Sequence, residues 1–132
     1  MARATVNCRI LPGDSPDDVR KALVDVLADQ QIDVIPVDKA NRSPSSPLTP
    51  EVFGTIERVS REMWPNVPVI PTMAVGATDG VYLRFAGIPT YGVMGLFVDI
   101  EDDRAHGRDE RVGVKQFYDC LEFLYRLVKA LG

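Results

Sequence analysis

The sequence predicts an α/β fold, because segments that alternate like a β-strand are interleaved with segments that have the periodicity of an amphipathic helix. Residues 5–11 and 32–37 have strand character and enclose a helical pattern, which makes a strand–helix–strand unit. Residues 88–93 form a mostly apolar segment, as in the buried strands of parallel sheets. A further short apolar strand is expected at residues 67–73.

The first helix is predicted to begin at Pro16, which suits the first helical position. Ser15 is the expected N-cap, and Asp17 and Asp18 suit the positive end of the helix dipole. Apolar residues then recur at helical spacing and predict one buried stripe, formed by Val19, Ala22, Leu23, Val26 and Leu27.

Three more helices are predicted from the same signals. The second begins after Thr49-Pro50-Glu51 and ends at Trp64-Pro65; its expected core residues are Val52, Phe53, Ile56, Val59 and Met63. A short third helix covers residues 81–85 and stops at Gly87. The last helix has an expected core stripe of Val114, Phe117, Leu121, Leu124, Val128 and Leu131.

Charge and hydropathy exclude two classes of partner. The net charge is −4 and the cations are scattered among acidic residues, which argues against nucleic acid, since phosphate binding needs clustered cations. No apolar run reaches the roughly 20 residues of a membrane span. The first residues lack a signal-peptide core, and we expect the chain to begin inside a larger protein, so the compartment stays open between cytoplasm and periplasm.

The single histidine, His106, is the first candidate for chemistry. It lies in a polar loop between an apolar segment and an amphipathic helix, where α/β folds place ligand-binding loops. Imidazole binds metals and carries protons, and nearby acidic residues can orient its ring. A lone surface histidine without such a role is the alternative that the spacing leaves open.

Two further candidates are suited to an anion. Residues 76–80 place small residues just before a helix, where free amides can bind a carboxylate; an ordinary turn capped by Thr78 is the alternative. Arg9 can clamp a carboxylate from the polar side of the first strand, or it can be a solvated charge. A second histidine, a Cys-x-x-Cys pair and a Gly-x-Ser-x-Gly elbow are absent from the sequence, so one chain cannot build a closed zinc site or a serine elbow.

Three segments in order resemble the di-zinc exopeptidase family of aminoacylase, carboxypeptidase G and succinyl-diaminopimelate desuccinylase, and within it the carboxypeptidase S-like branch. They are ATVNCRILPGDS at residues 4–15, GATDGVYLR at residues 76–84 and HGRDERV at residues 106–112. The resemblance covers nearly the whole chain. Gly80-Val81 departs from the Ser-Arg that many relatives have at this point.

The resemblance implies an α+β lid half joined to the closing part of an α/β zinc-peptidase catalytic domain. Residues 1–38 would be the second half of the lid and dimerisation domain, residues 39–48, rich in proline and serine, a linker, and residues 49–132 the end of the catalytic domain. By the same resemblance His106 is the last zinc ligand and Glu110 supports its loop. Arg9 holds the substrate carboxylate, and the loop that contacts the end of the substrate contains Gly76, Thr78 and Asp79.

Two hypotheses follow. In the first, the chain is the carboxy-terminal portion of a zinc metallopeptidase or amidohydrolase that cleaves carboxylate-bearing peptides or N-acyl amino acids. The family's His-x-Asp motif, general base and lid histidine have no counterpart in the sequence, so the chain alone is expected to be inactive and to bind no zinc. In the second, it is a standalone homodimerising or binding module. We expect a homo-oligomer in either case, because half-domains leave apolar faces uncovered.

Overall fold

The computed structural model describes residues 1–38, 43–102 and 104–132, and the regular elements found there are helices. The α-helices are α1 (Pro16–Leu27), α2 (Thr55–Met63), α3 (Gly80–Phe85) and α4 (Val114–Leu131). A π-helical turn, Pro50–Gly54, leads into α2, and a 3-10 turn covers Ile100–Asp102. Among the described residues, no helix is both long and apolar enough to cross a membrane.

The predicted α/β fold class is wrong for this structure. Within the described residues no segment is a β-strand, including residues 5–11, 32–37, 67–73 and 88–93. Alternation of apolar and polar residues reports only that one side of an extended segment could be buried. A strand also needs a neighbouring strand to take its backbone hydrogen bonds, and the described part of the chain contains no such ladder.

The chain divides into two compact units. Unit 1 comprises residues 1–46 and 72–91, and unit 2 comprises residues 47–71 and 92–132. The linker predicted at residues 39–48 falls partly on residues 39–42, which lie outside the described residues. The lid and catalytic boundaries expected from the family resemblance stay a prediction.

Helix α1 of unit 1 begins where its sequence signals predict. The Ser15 hydroxyl accepts a hydrogen bond from the Asp17 amide at 3.2 Å, and Pro16 occupies the first helical turn. The predicted buried stripe is wrong, since no residue of α1 is buried and Val26 is 83% exposed. Capping is a local interaction that the sequence specifies, whereas burial requires a partner surface.

Unit 1 is held by polar contacts around α3. The Arg84 side chain donates to the Ser43 hydroxyl at 2.8 Å and to the Thr90 carbonyl at 3.2 Å. The Ser46 hydroxyl donates to the same carbonyl and accepts from the Thr90 amide, both at 2.8 Å. Gly87, with φ +82°, ends α3 where the sequence predicts. Arg84 therefore ties the serine-rich segment to the residues that follow α3.

The core of unit 2 lies between α2 and α4. Its buried side chains are Ile56 and Val59 of α2 and Phe123 and Leu127 of α4. The Trp64 ring lies 5.4 Å from the Phe123 ring and closes one end of this core. The sequence correctly predicts the end of α2 at Trp64 and places Ile56 and Val59 in the core.

The buried face of α4 differs from the predicted one. Of the predicted stripe only Leu124 packs against the core, whereas Val114, Phe117, Leu121, Val128 and Leu131 are exposed. The buried residues Phe123 and Leu127 lie on a neighbouring face of the helix, next to Leu124. Because this 18-residue helix has apolar residues on two faces, the spacing of apolar residues in the sequence does not determine which face packs against α2.

We predict that Gly95→Ala destabilises unit 2 by about 1–3 kcal/mol, as overpacking of a filled core does. A Cβ at residue 95 would lie 2.7 Å from the Phe123 ring, and Phe123 is buried. Urea unfolding of the two proteins measures the change.

The matched control is Gly92→Ala, since a Cβ at residue 92 meets nothing within 4 Å. We expect Gly92→Ala to leave the free energy of unfolding nearly unchanged. Equal unfolding midpoints for Gly95→Ala and the unsubstituted protein would contradict the described packing of Phe123.

Candidate functional site

His106 lies at the tip of a tight turn in unit 2. The Gly107 amide donates to the Arg104 carbonyl at 2.9 Å, and His106 between them has φ +64°. This left-handed conformation is uncommon for a residue with a side chain, although histidine tolerates it better than most. The side chain is exposed, so the imidazole is accessible to a ligand.

Ion pairs connect the two sides of the His106 turn. Arg104 pairs with Asp102 through Nε at 2.5 Å and with Asp109 through Nη1. Arg111 Nη2 lies 2.8 Å from the second carboxylate oxygen of Asp102. Two arginines and two aspartates therefore brace the loop that contains His106, and we call these four residues the charged brace.

The charged brace alters the titration of Asp102. Hydrogen bonds from Arg111 and then from Arg104 hold the pKa of Asp102 below its ordinary value of 3.8. Each oxygen of the carboxylate is engaged by a guanidinium group. Such an aspartate is a weak competitor for a metal ion, because binding would require it to leave its arginines.

Glu110, the predicted support for the His106 loop, follows the turn directly, and its supporting role stays a prediction. Its backbone amide donates to the Gly107 carbonyl at 3.4 Å, which continues the turn. Within the described residues the Glu110 side chain forms no hydrogen bond or ion pair. The side-chain ion pairs around the turn come from the charged brace, whose four residues look like ordinary solvated charges in the sequence.

The candidates for substrate contact lie in unit 1. Gly76, Thr78 and Asp79 are exposed and lead into α3, with Asp79 rather than Thr78 at the cap position. The amides of Val81 and Tyr82 donate to the carbonyls of Thr78 and Asp79 at 3.2 and 3.1 Å. Two amides that an anion would need are therefore already engaged within the turn.

Gly80 permits a close approach within this loop. A Cβ at this position would lie 2.9 Å from Arg84 Nη1 and 3.1 Å from the Thr78 hydroxyl. A side chain at residue 80 would therefore meet both the Arg84 guanidinium and the Thr78 hydroxyl.

Arg9 is exposed and belongs to the same unit as the 76–80 loop. Within the described residues it forms no ion pair or hydrogen bond. Its guanidinium is therefore available to a carboxylate from outside the chain, and its assignment as a substrate clamp stays a prediction.

The described residues do not fit a complete zinc site. No group of three or more histidine, cysteine, aspartate or glutamate side chains is arranged to hold a metal in that part of the chain. A structural zinc site needs four protein ligands and a catalytic site three. His106 can supply one nitrogen ligand, so the described chain offers a ligand and not a site.

We predict that Arg111→Gln raises the pKa of Asp102 toward 3.8, and does so more than Arg104→Gln, since the hydrogen bond from Arg111 is the larger cause. Because the folded-state pKa is lowered, the brace stabilises the loop above pH 3.8. That stabilisation is lost as the pH falls through the lowered pKa. An NMR titration of the Asp102 carboxyl carbon in each variant measures how far the pKa of Asp102 rises.

Lys115→Gln is the control, because it removes a separate ion pair to Asp119 in the same unit. We expect it to leave the Asp102 titration unchanged. A pKa that is the same in Arg111→Gln as in the unsubstituted protein would exclude the described contact.

Comparisons with known proteins agree with the resemblance seen in the motifs. The family described as "Peptidase family M20/M25/M40" matches residues 4–130. The probable carboxypeptidase S-like 2 of Dictyostelium discoideum is 27% identical over 97% of this chain. The N-fatty-acyl-amino acid synthase/hydrolase PM20D1 of Homo sapiens is 24% identical over 98% of it.

These alignments cover 25% of the first relative and 26% of the second, so the chain spans about a quarter of the length of the curated relatives it matches. No solved structure matches the chain significantly. The family match includes the His106 turn and the 76–80 loop and extends over nearly every residue. The chain therefore belongs to peptidase family M20/M25/M40.

Proposed function

We propose that this chain is part of a metal-dependent hydrolase that cleaves an amide bond in a peptide or an N-acyl amino acid. The observation that carries the proposal is the family match over residues 4–130, which includes an accessible histidine on a braced turn. The relatives support the substrate class, since one is named as carboxypeptidase S-like and the other as an N-fatty-acyl-amino acid synthase/hydrolase. A peptide or an N-acyl amino acid carries a carboxylate, and this is the group that an exposed guanidinium could bind.

We assign His106 as a zinc ligand. Its exposure and its place at the tip of a turn support this role, because a ligand must reach the metal without being covered by its own chain. The neighbouring Asp102 and Asp109 are engaged by Arg104. Of the three side chains, the imidazole is thus the donor that the turn leaves available.

We assign Arg9 to the substrate carboxylate and the loop containing Gly76, Thr78 and Asp79 to the end of the substrate. A guanidinium can bind a carboxylate through two parallel hydrogen bonds, and Arg9 has its donors exposed. In the loop, the Thr78 hydroxyl and Arg84 flank Gly80 and offer polar groups close together. We also propose that residues 1–38 belong to the lid, with residues 49–132 in the catalytic part.

The isolated chain is inactive in this proposal, because the sequence has one histidine and the described residues hold no group of metal ligands. A working site then needs ligands and a general base from additional polypeptide. No step of hydrolysis can be assigned to the residues of this chain alone.

A second candidate function is a homodimerising or binding module without catalysis. The exposed apolar side of α4 favours it, since Val114 is 74% exposed and Val128 69% exposed. Apolar surface of this kind is covered in most stable assemblies. Light scattering that shows a monomer at high protein concentration would exclude the homodimer.

The assignment of His106 predicts that zinc perturbs the NMR signals of its imidazole, which are easily identified because the chain has one histidine. Zinc accepts imidazole nitrogen readily, whereas magnesium prefers oxygen and retains its water. One imidazole alone holds zinc weakly, so no zinc is expected to stay bound to the isolated chain, but zinc in large excess, and not magnesium, should shift or broaden these signals. Calorimetry of the His106→Ala variant should show weaker zinc binding than the unsubstituted chain.

Unchanged imidazole signals in excess zinc, or equal zinc binding by His106→Ala, would exclude His106 as a ligand. Hydrolysis is tested on the same samples with N-acyl amino acids. We expect no zinc-dependent turnover. Turnover that the His106→Ala variant loses would contradict the proposed inactivity while supporting the ligand assignment.

A further inference from the structure

We propose that Arg104 is a positioning residue that fixes the turn on which His106 is presented. The inference that this serves metal binding rests on the proposed function, whereas the effect of Arg104 on the turn does not. Arg104 closes the loop both through its backbone carbonyl and through its side chain.

The backbone of the His106 turn adopts a conformation that needs support. A φ of +64° brings the Cβ of a residue with a side chain close to the following peptide, which costs free energy. Such conformations persist where several surrounding contacts hold the backbone in place. A free loop would relax His106 to a negative φ, and the imidazole would then point elsewhere.

The Arg104 carbonyl forms the first closure of the turn. It accepts the Gly107 amide at 2.9 Å. The next residue in the turn is closely fitted, because a Cβ at position 107 would lie 3.0 Å from the same carbonyl oxygen. Glycine at residue 107 therefore allows the close approach that leaves His106 at the tip.

The Arg104 side chain forms the second closure. Its Nε bonds one oxygen of Asp102, before the turn, and its Nη1 bonds Asp109, after it. Arg111 takes the other oxygen of Asp102 at 2.8 Å, so each carboxylate oxygen of Asp102 has an arginine. The Arg104 guanidinium thus connects the two flanks of the turn. The backbone carbonyl of the same residue accepts the hydrogen bond that closes it.

A single exposed ion pair contributes little to stability, because water and salt screen it. The charged brace differs in that several pairs share members and Arg104 presents a planar fork in a fixed geometry. Its effect is also local, since it restricts a short loop and not the whole fold. The expected consequence of removing Arg104 is therefore a freer His106 turn in a protein that stays folded.

The test compares Arg104→Gln with the unsubstituted chain by NMR. Two signals report on the turn: the coupling between the amide and α protons of His106, which depends on φ, and hydrogen exchange of the Gly107 amide. We expect a changed coupling and about fivefold faster Gly107 exchange, which corresponds to about 1 kcal/mol in the opening equilibrium. Arg104→Lys keeps the positive charge but lacks the planar guanidinium that can bond Asp102 and Asp109 together. We therefore expect its His106 coupling and its Gly107 exchange to return only partly to the values of the unsubstituted chain.

The control is Arg126→Gln, which removes the exposed 2.7 Å ion pair to Glu122 in the same unit. We expect it to leave the His106 coupling and the Gly107 exchange unchanged. Urea midpoints of all variants establish that they are folded. Unaltered coupling and exchange in folded Arg104→Gln, or full rescue by Arg104→Lys, would overturn the proposal.

Zinc titration of the same variants separates this inference from the proposed function. We expect Arg104→Gln to need more zinc than Arg126→Gln for the same shift of the His106 imidazole signals. If zinc does not affect His106 in any variant, the ligand assignment fails while the NMR test of the turn stands. If the turn loosens but zinc binding is unchanged, the positioning role for metal binding is overturned.

Discussion

Unit 2 depends on the packing of Phe123 and Leu127 of α4 against Ile56 and Val59 of α2. Burying four such side chains stabilises the pair of helices by several kcal/mol, at about 1.5–3 kcal/mol for each. The effect reaches beyond the helices, since Gly95 approaches Phe123 more closely than any residue with a side chain could. Gly95 lies before the loop that contains His106 and α4 lies after it, so this contact joins the two flanks of that loop.

Among its described residues, unit 1 has no comparable cluster of buried apolar side chains. Helix α1 buries none of its residues, and the contacts that hold the unit include the polar network of Arg84, Ser43, Ser46 and Thr90. Polar contacts of this kind restrict the chain locally but contribute a modest net free energy each. The buried apolar side chains of the described residues lie in unit 2 with the predicted metal ligand, whereas the predicted substrate-contact residues lie in unit 1.

Local signals explain which parts of the structure could be predicted. Ser15 and Pro16 start α1, Trp64 ends α2 and Gly87 ends α3, because caps and breakers act on their own neighbours. Burial and strand pairing depend on a partner surface, so the α1 stripe, the face of α4 and the strands were predicted wrongly. His106 could be predicted as a candidate site residue, because it is the single histidine of the sequence and begins the segment HGRDERV. The charged brace could not, since charged residues in a polar loop look like an ordinary solvated surface.

The brace explains how a polar, exposed loop can present one side chain reliably. A ligand on a free loop must lose conformational entropy when it binds, and this weakens binding unless the loop is ordered beforehand. Arg104 orders the His106 turn through ion pairs to Asp102 and Asp109, and the same pairs occupy the carboxylates that could compete with the imidazole. The same ion pairs therefore order the His106 turn and leave its imidazole as the available metal donor in our proposal. We expect a loop with neutral residues in place of the brace to keep the histidine but to lose the turn geometry on which its proposed role as a metal ligand depends.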